Sequence, residues 1–483
     1  MPGCKSFPTA RPSRVLFALC FAGTSAGAVQ SVVVPVLPDI AEQLHVSAST
    51  ASWAVTAGLL GAVVMVPVFG RLADLRGGRG GLLWSLALLT LGSVLSALAP
   101  SLALLLVGRT LQGAAGAVFP LTITVLLREV TGGRLPSAMA LVGATLGVGG
   151  GLGPVLSGLL GQYVADYRAV FVLCTAIGAL SMLCVALLVP RRPVVHTTGG
   201  VDLAGATLLA TGLVLVMLPL SQGSNWGWAS PTVLGLLVSG VTVVWLFVRM
   251  ERSRSEPLVS IALMRHRPIM VLNLLSAAVG AVMFLVLLGV NQLVRTSPDA
   301  AGYGFGVTSL TAAVVYLLPI SAASLVAGLV GGRLVARFGG RATLAIAGVL
   351  GTGGFTSLAL AHDRAYEVIT AGVAVGVMLS LAYAATPTLL TRFAPASQTG
   401  MANSANALTR WIGGAAASSF VATVLASYTP AGGAPQETAI VVIFAVGALV
   451  SVTVASLARL GLPGHEPDTV GEFQESEPSV THG

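Results

Sequence analysis

Gly70–Arg79 reads GRLADLRGGR, and Gly332–Arg341, 262 residues later, reads GRLVARFGGR. Six of the ten positions are identical. Each copy follows one long apolar stretch and precedes another. Met139-Ala140 and Met401-Ala402 share the same offset, at the start of a further pair of apolar stretches. A short loop repeated at a fixed offset in an apolar chain implies two structurally equivalent halves around a central site.

The composition around these loops places the chain in a membrane. Charged residues are 9% of its 483 positions and apolar residues 55%, with 59 glycines. Soluble domains carry about 25% charged residues. Crossing a hydrocarbon core takes roughly 20 apolar residues as a helix. Fourteen such runs are predicted, at about 15–37, 50–70, 82–99, 102–126, 138–160, 169–189, 203–220, 231–248, 269–291, 308–330, 343–361, 367–390, 400–426 and 438–458. They are helices rather than strands, because backbone groups in lipid must be satisfied internally and the period-two alternation of a barrel is missing.

The net charge of +8 is distributed by topology. Of 25 Lys and Arg, 20 fall at the two termini and in the loops after expected helices 2, 4, 6, 8, 10 and 12. Three (Arg168, Arg295, Arg364) fall in the opposite loops, and two (Arg109, Arg410) inside helices. This bias predicts cytoplasmic termini and excludes a nucleic-acid surface. Lys5, Arg11 and Arg14 before an apolar stretch resemble a cleavable signal, but the stretch continues to Pro38 and is read as a retained first helix. Cys4, Cys20, Cys174 and Cys184 have no metal or redox spacing and are read as packing residues. The six histidines fall in loops or the tail, and no nucleophile set or phosphate loop accompanies them. No catalytic residue, metal or cofactor is expected.

The 262-residue offset exceeds six helices and their loops by about the length of one helix pair. The expected order is a cytoplasmic N-terminus (1–14), a six-helix bundle (15–189), a linker with inserted helices 7 and 8 (190–268), a second six-helix bundle (269–458) and an acidic, disordered cytoplasmic tail (459–483).

GRLADLRGGR resembles the signature loop of the major facilitator superfamily. Arg109-x-x-Gln112-Gly113 resembles that family's second motif. Gly149-x-x-x-Gly153-Pro154 in helix 5 resembles the motif of its drug antiporters. Fourteen helices with an inserted central pair resemble the fourteen-helix drug:proton antiporter branch. The resemblance covers nearly all of residues 15–460. It implies export of drugs or natural products by alternating access, coupled to protons. In those antiporters helix 5 is thought to discourage leak; close packing of small residues is the plainer reading of Gly149, Gly153 and Pro154.

Each motif has a physical reading. Gly70, Arg71, Asp74, Arg76, Gly77 and Arg79, with Arg333, Arg337 and Arg341 of the second copy, are the expected latch between the halves, with Asp74 pairing an Arg of the opposite half; Asp74 capping a helix N-terminus, and arginines that only set topology, are the plainer readings. Ala336 replaces the acid in the second copy, so the latch is asymmetric. An arginine inside a membrane costs about 2.5–3.5 kcal/mol on insertion scales and normally faces a polar cavity. Arg109 with Gln112, and Arg410 with Asn403 and Asn406 at helical spacing, are the expected cavity residues. Gln30, Asn273, Asn291 and Gln292 can add hydrogen bonds, and Phe119, Tyr383 and Trp411 stacking surface.

The chain departs from the family at one place. The resembling antiporters often carry an Asp shortly before a Leu-Pro in helix 1, and Val29 stands there. None of the 17 acids falls near the middle of an expected helix. Asp39 at the cavity mouth, or Asp74 through the latch, are the remaining proton carriers. Without a buried carboxylate, Arg109 and Arg410 favour neutral or anionic guests. The expected partner is a medium-sized amphipathic organic molecule, with protons and membrane lipids, and the protein is expected to be a monomer. Two other readings stay open: a metabolite symporter, and a sensor or lipid-handling protein that moves no soluble substrate. High Gly, Ala and Arg with little Lys points to a GC-rich bacterial genome, where export for self-resistance fits, and to a multi-pass protein of the bacterial cytoplasmic membrane.

Overall fold

The computed structural model describes residues 12–46, 48–130, 135–164, 166–191, 203–253, 261–395, 398–430 and 434–463. Residues 192–202 and 254–260 of the expected linker region and 464–483 of the expected tail lie outside these residues. All regular structure among the described residues is helical. The long helices are α1 (Pro12–Ser31), α2 (Trp53–Arg76), α3 (Gly78–Ala97), α4 (Leu102–Gln112 continuing as Ala115–Glu129), α5 (Leu135–Tyr163), α6 (Arg168–Leu188), α7 (Leu203–Trp226) and α8 (Pro231–Glu251). They continue with α9 (Arg267–Arg295), a kinked segment Leu318–Leu360, α12 (Ala365–Phe393), α13 (Thr399–Ser427) and α14 (Glu437–Ser456). The kinked segment breaks at Gly339, which separates α10 (318–338) from α11 (340–360).

Ten described segments are long and apolar enough to cross a bilayer. One of them, Ser309–Leu360, has 52 residues. Straight, it would be about 78 Å long, more than twice a core of about 30 Å. The break at Gly339 gives it two passes. The three expected spans outside the ten, α1, α7 and α13, are helical as well. α13 falls short on apolarity because it carries Asn403, Ser404, Asn406 and Arg410.

The repeated decapeptide has the same backbone in both copies. Gly77 lies at φ 83°, ψ 148° and Gly339 at φ 80°, ψ 161°. L-residues avoid this region, so only glycine turns the chain there without strain. Gly77→Ala and Gly339→Ala are each expected to cost about 1–3 kcal/mol. The double variant should lose roughly the sum, since the sites are far apart. Thermal unfolding in detergent measures this, and an unchanged melting temperature would show that the turn does not need glycine. The arginine two residues on also plays one role twice. Arg79 donates to the carbonyls of Val189 (2.8 Å) and Ala186 (2.8 Å) at the end of α6. Arg341 donates to the Arg459 carbonyl beyond α14. Each cation covers the negative end of a helix dipole.

Glycine also decides how closely helices cross. On α5, Gly149 and Gly153 face α1: a Cβ on Gly149 would lie 2.8 Å from the Ala28 nitrogen, and one on Gly153 2.6 Å from the Ala28 carbonyl. The neighbouring face, Gly143, Gly147 and Gly151, meets Tyr383 of α12 and Ser324 and Ser321 of α10. Thus α5 joins α1 with one small-residue stripe and the other half of the chain with a second. The inserted α7 packs on α2 and α13. Gln222 Nε2 donates to Thr56 Oγ1 (3.0 Å), and the Trp53 and Trp226 rings pack at 5.8 Å with a 44° tilt. α8 covers α7 and turns Leu234, Val238, Val241 and Trp245 outward, as a lipid-facing helix does.

Candidate functional site

α4 is interrupted at Gly113, where α2 crosses it so closely that a Cβ on Gly113 would collide with Gly61. Arg109 and Gln112 sit in the turn just before this break. Both are buried, Arg109 to 4% exposure. Its Nε donates to the Ala54 carbonyl of α2 (2.9 Å) and its Nη1 to Gln112 Oε1 (2.6 Å), with the Val29 carbonyl of α1 at 3.5 Å. Gln112 passes the chain on to Ser93 Oγ of α3 (2.7 Å). The guanidinium is therefore held by neutral acceptors from three helices. No carboxylate pairs with it among the described residues.

Beside this network lies a cavity of about 1060 Å³ between α1, α2 and α4 on one side and α9, α12 and α13 on the other. Val29, Gln30, Val55, Arg109, Gln112 and Phe119 line the first side; Met283, Phe284, Tyr383, Arg410 and Trp411 line the second. Mostly apolar walls with a few polar groups are what a medium-sized organic guest needs. The Arg410 guanidinium carbon lies 5.0 Å from the centroids of both the Phe119 and Tyr383 rings. Those rings meet edge to face at 5.9 Å. A cation between two aromatic faces is held by their quadrupoles. Among the described residues it has no hydrogen-bond or ion-pair partner.

The cavity is closed toward the decapeptide loops and reaches toward the opposite face. On the loop side Gly70 of α2 abuts Ser404 of α13, and a Cβ there would lie 2.7 Å from Ser404 Cβ. The cavity lining on α13 goes no further toward the loops than Arg410. On the other side a second chamber of about 440 Å³ shares Ser31, Val34 and Leu287 with the cavity and continues past Asn291 to Arg295 and Ser309.

Three expected cavity residues, Arg109, Gln112 and Arg410, line this space. Asn403 and Asn406 do not. Asn403 Nδ2 turns to the Thr399 carbonyl (2.9 Å). Asn406 Nδ2 bonds to the Leu272 carbonyl (3.1 Å) and Asn273 Oδ1 (3.1 Å), and its Oδ1 accepts from Ser276 (2.7 Å). Both amides are spent on packing within α13 and against α9. Asp39 sits in the short helix Leu37–Gln43, away from the lining, and its carboxyl is pushed up by burial and by Glu42 beside it. Gln30 lines the cavity and Asn291 the second chamber, while Gln292 turns to Thr296.

The latch residues divide similarly. Gly70 stands at the contact between halves. Arg79 donates to carbonyls of its own half rather than across the halves, and Arg341 donates to the Arg459 carbonyl of its own half. Arg337 stacks on Phe338 at 5.4 Å; Arg76 and Arg333 are exposed, and Arg71 is half-buried. Asp74 lies in the last turn of α2, and its side chain is outside the described residues. The sequence reading named Gly149, Gly153 and Pro154 on α5. Gly149 and Gly153 turn to α1, and Pro154 lines the second chamber. The seam to the other half runs through Gly143, Gly147 and Gly151, whose spacing of four was the visible signal. Phe119 and Tyr383 stand 264 residues apart, two from the repeat offset, and so mark corresponding helices.

An uncharacterised MFS-type transporter of Mycobacterium tuberculosis (strain ATCC 25618 / H37Rv) is 30% identical over 344 residues, 70% of this chain and 48% of that protein. The match thus spans about half the length of that relative. A triacylglyceride transporter of Mycolicibacterium hassiacum is 28% identical over 407 residues, covering 79% of this chain and 73% of the relative. The tetracenomycin C resistance and export protein of Streptomyces glaucescens is 25% identical over 427 residues, covering 86% and 76%. The crystal structure of the human organic anion transporter MFSD10 superposes with a TM-score of 0.64 at 14% identity, over 93% of this chain and 99% of that one. At that identity the likeness concerns the fold alone. Residues 19–294, more than half of the chain, match the family profile, and the protein is a member of the major facilitator superfamily.

Proposed function

We propose that this transporter exports drugs or natural products, antibiotics among them, from a bacterial cell by alternating access. The observation that carries the reading is the cavity between the two sets of helices, closed on the decapeptide side and extended toward the other. On this reading the chain belongs to the fourteen-helix drug antiporter branch. Two six-helix bundles, 15–189 and 269–458, rock about the cavity, both termini face the cytoplasm, and α7 and α8 are the inserted pair. Arg109, Gln112 and Arg410 meet the guest, and Gly70 with its neighbours closes the cytoplasmic side. The likeness to the tetracenomycin C resistance and export protein of Streptomyces glaucescens supports it. The proton coupling implied by the resemblance finds no carboxylate on the cavity lining.

The test is accumulation of a chemically varied antibiotic panel in efflux-deficient bacteria making the protein, with and without a protonophore. Exclusion of some compounds, lost on adding the protonophore, is expected. If every compound accumulates as in cells lacking the protein, antibiotic export is wrong. The apolar walls and the triacylglyceride relative favour lipid export as the second reading. Transfer of lipid out of the membrane, with no antibiotic excluded, would establish it instead.

A further inference from the structure

The cavity holds two cations and no anion. Its lining includes Arg109 and Arg410 and not one Asp, Glu, Lys or His. Arg109 is satisfied by neutral oxygens through Nε and Nη1, while its Nη2 has no hydrogen-bond acceptor among the described residues. Among the described residues Arg410 is held by two rings alone. A third cation, Arg295, stands at the mouth of the second chamber. Enclosed charge without a counter-charge is unfavourable, and the cheapest remedy is a guest that brings one. Aromatic faces beside Arg410 suit a flat ring attached to the anionic group.

We propose that the cavity takes an organic monoanion carrying an aromatic ring, and that the guest's own charge couples its export to the membrane potential. The proposal rests on the export reading above and supplies its substrate class and driving force. The anionic group sits on the Arg410 guanidinium and the free edge of Arg109, and the ring lies against Phe119 and Trp411. No protein carboxylate has to titrate. An anion leaving a cell that is negative inside moves down the field. One charge per cycle sustains a gradient of roughly 50-fold per 100 mV. Val29 matters to this balance because its carbonyl lies beside Arg109 and it lines the cavity. An acid at that position would neutralise one of the two cations.

The experiment uses the full chain, purified and reconstituted into liposomes, with three probes on one ring: naphthalene-2-sulfonate, the neutral naphthalene-2-sulfonamide and a naphthalene-2-trimethylammonium salt. The sulfonate stays ionised at any working pH, so proton uptake by the probe cannot mimic the effect. Binding is read from quenching of tryptophan fluorescence, Trp411 being in the cavity wall. The sulfonate is expected to bind about tenfold or more tighter than the sulfonamide. Arg410→Gln should remove that advantage, and Val29→Asp should shift preference toward the trimethylammonium probe. Sulfonate flux should follow a valinomycin-set potassium potential and ignore a pH gradient imposed at zero potential. Equal or absent binding of sulfonate and sulfonamide, preference for the cation, or flux that follows pH and not potential would each overturn the proposal. The two levels fail separately. Exclusion of cationic or neutral antibiotics without sulfonate preference leaves export standing and removes the anion. Preferential sulfonate binding without flux keeps the anion site and removes the exporter.

Discussion

Arg109→Ala is expected to abolish transport and to lower the melting temperature of the detergent-solubilised protein by several degrees. The side chain ties α4 to α2 through the Ala54 carbonyl, approaches the Val29 carbonyl of α1, and orients Gln112 toward Ser93 of α3. Truncation leaves a void and strips these buried acceptors of their donor, at about 1–3 kcal/mol for each group left unsatisfied. Part of this is offset, because a buried cation without a carboxylate is itself costly. Arg109→Met makes the distinction measurable. It fills the space and removes the charge, so it should recover part of the lost stability and none of the transport. Normal export by Arg109→Met would show that the cation serves packing only.

Gly149→Val is expected to prevent assembly of the helices around α1. A Cβ at Gly149 would overlap the Thr24 carbonyl and press on Ala28 and Gly27, all backbone atoms that no rotamer change can move. Overpacking a core usually costs about 1–3 kcal/mol, and more where backbone must shift. The control is Gly161→Val on the same helix, where nothing lies within 4 Å of the added carbon. Fluorescence-detected size exclusion of tagged protein should show a collapsed or missing peak for Gly149→Val and a normal one for Gly161→Val. Equal peaks would mean that α1 and α5 do not meet there. Since α1 and α5 belong to one half, the loss should be the same whichever side the cavity opens to.

Much of this architecture was legible because a membrane forces it. Apolar runs of about 20 residues must be helices in lipid, and each predicted run is helical. The repeat told the same story locally, down to the shared backbone of Gly77 and Gly339. The site was legible only in part. An arginine inside an apolar helix is conspicuous, and both such residues reached the cavity. Asn403 and Asn406 misled because helical spacing reports a face and not a depth. They share a face with Arg410, but lie about 6–10 Å nearer the decapeptide side, where α9 and α13 are in contact and their amides are used for packing. Arg79 and Arg341 misled for another reason. A basic residue in a loop looks available to any partner, and here the nearest negative potential was the end of a helix in the same half. No pattern within a single helix announces that Arg410 lies between Phe119 and Tyr383, because three helices supply that arrangement.

The position of α7 has a consequence for how a guest arrives. Val63 of α2 and Ala415 of α13 share one apolar cluster with Leu209, Leu213 and Met217 of α7, and Trp228 just beyond α7 donates to Thr423 of α13 (2.8 Å). One lateral flank of the cavity is thereby roofed over. On the other flank Gly143, Gly147 and Gly151 of α5 line a further space with Ser321 and Ser324 of α10, which shares Gly150, Met283, Leu287 and Tyr383 with the cavity. A compound dissolved among the acyl chains meets the α7 roof on one side and this α5 seam on the other. Sideways exchange between the cavity and the bilayer is therefore asymmetric: the α7 flank is covered, and the α5 flank is where the space extends.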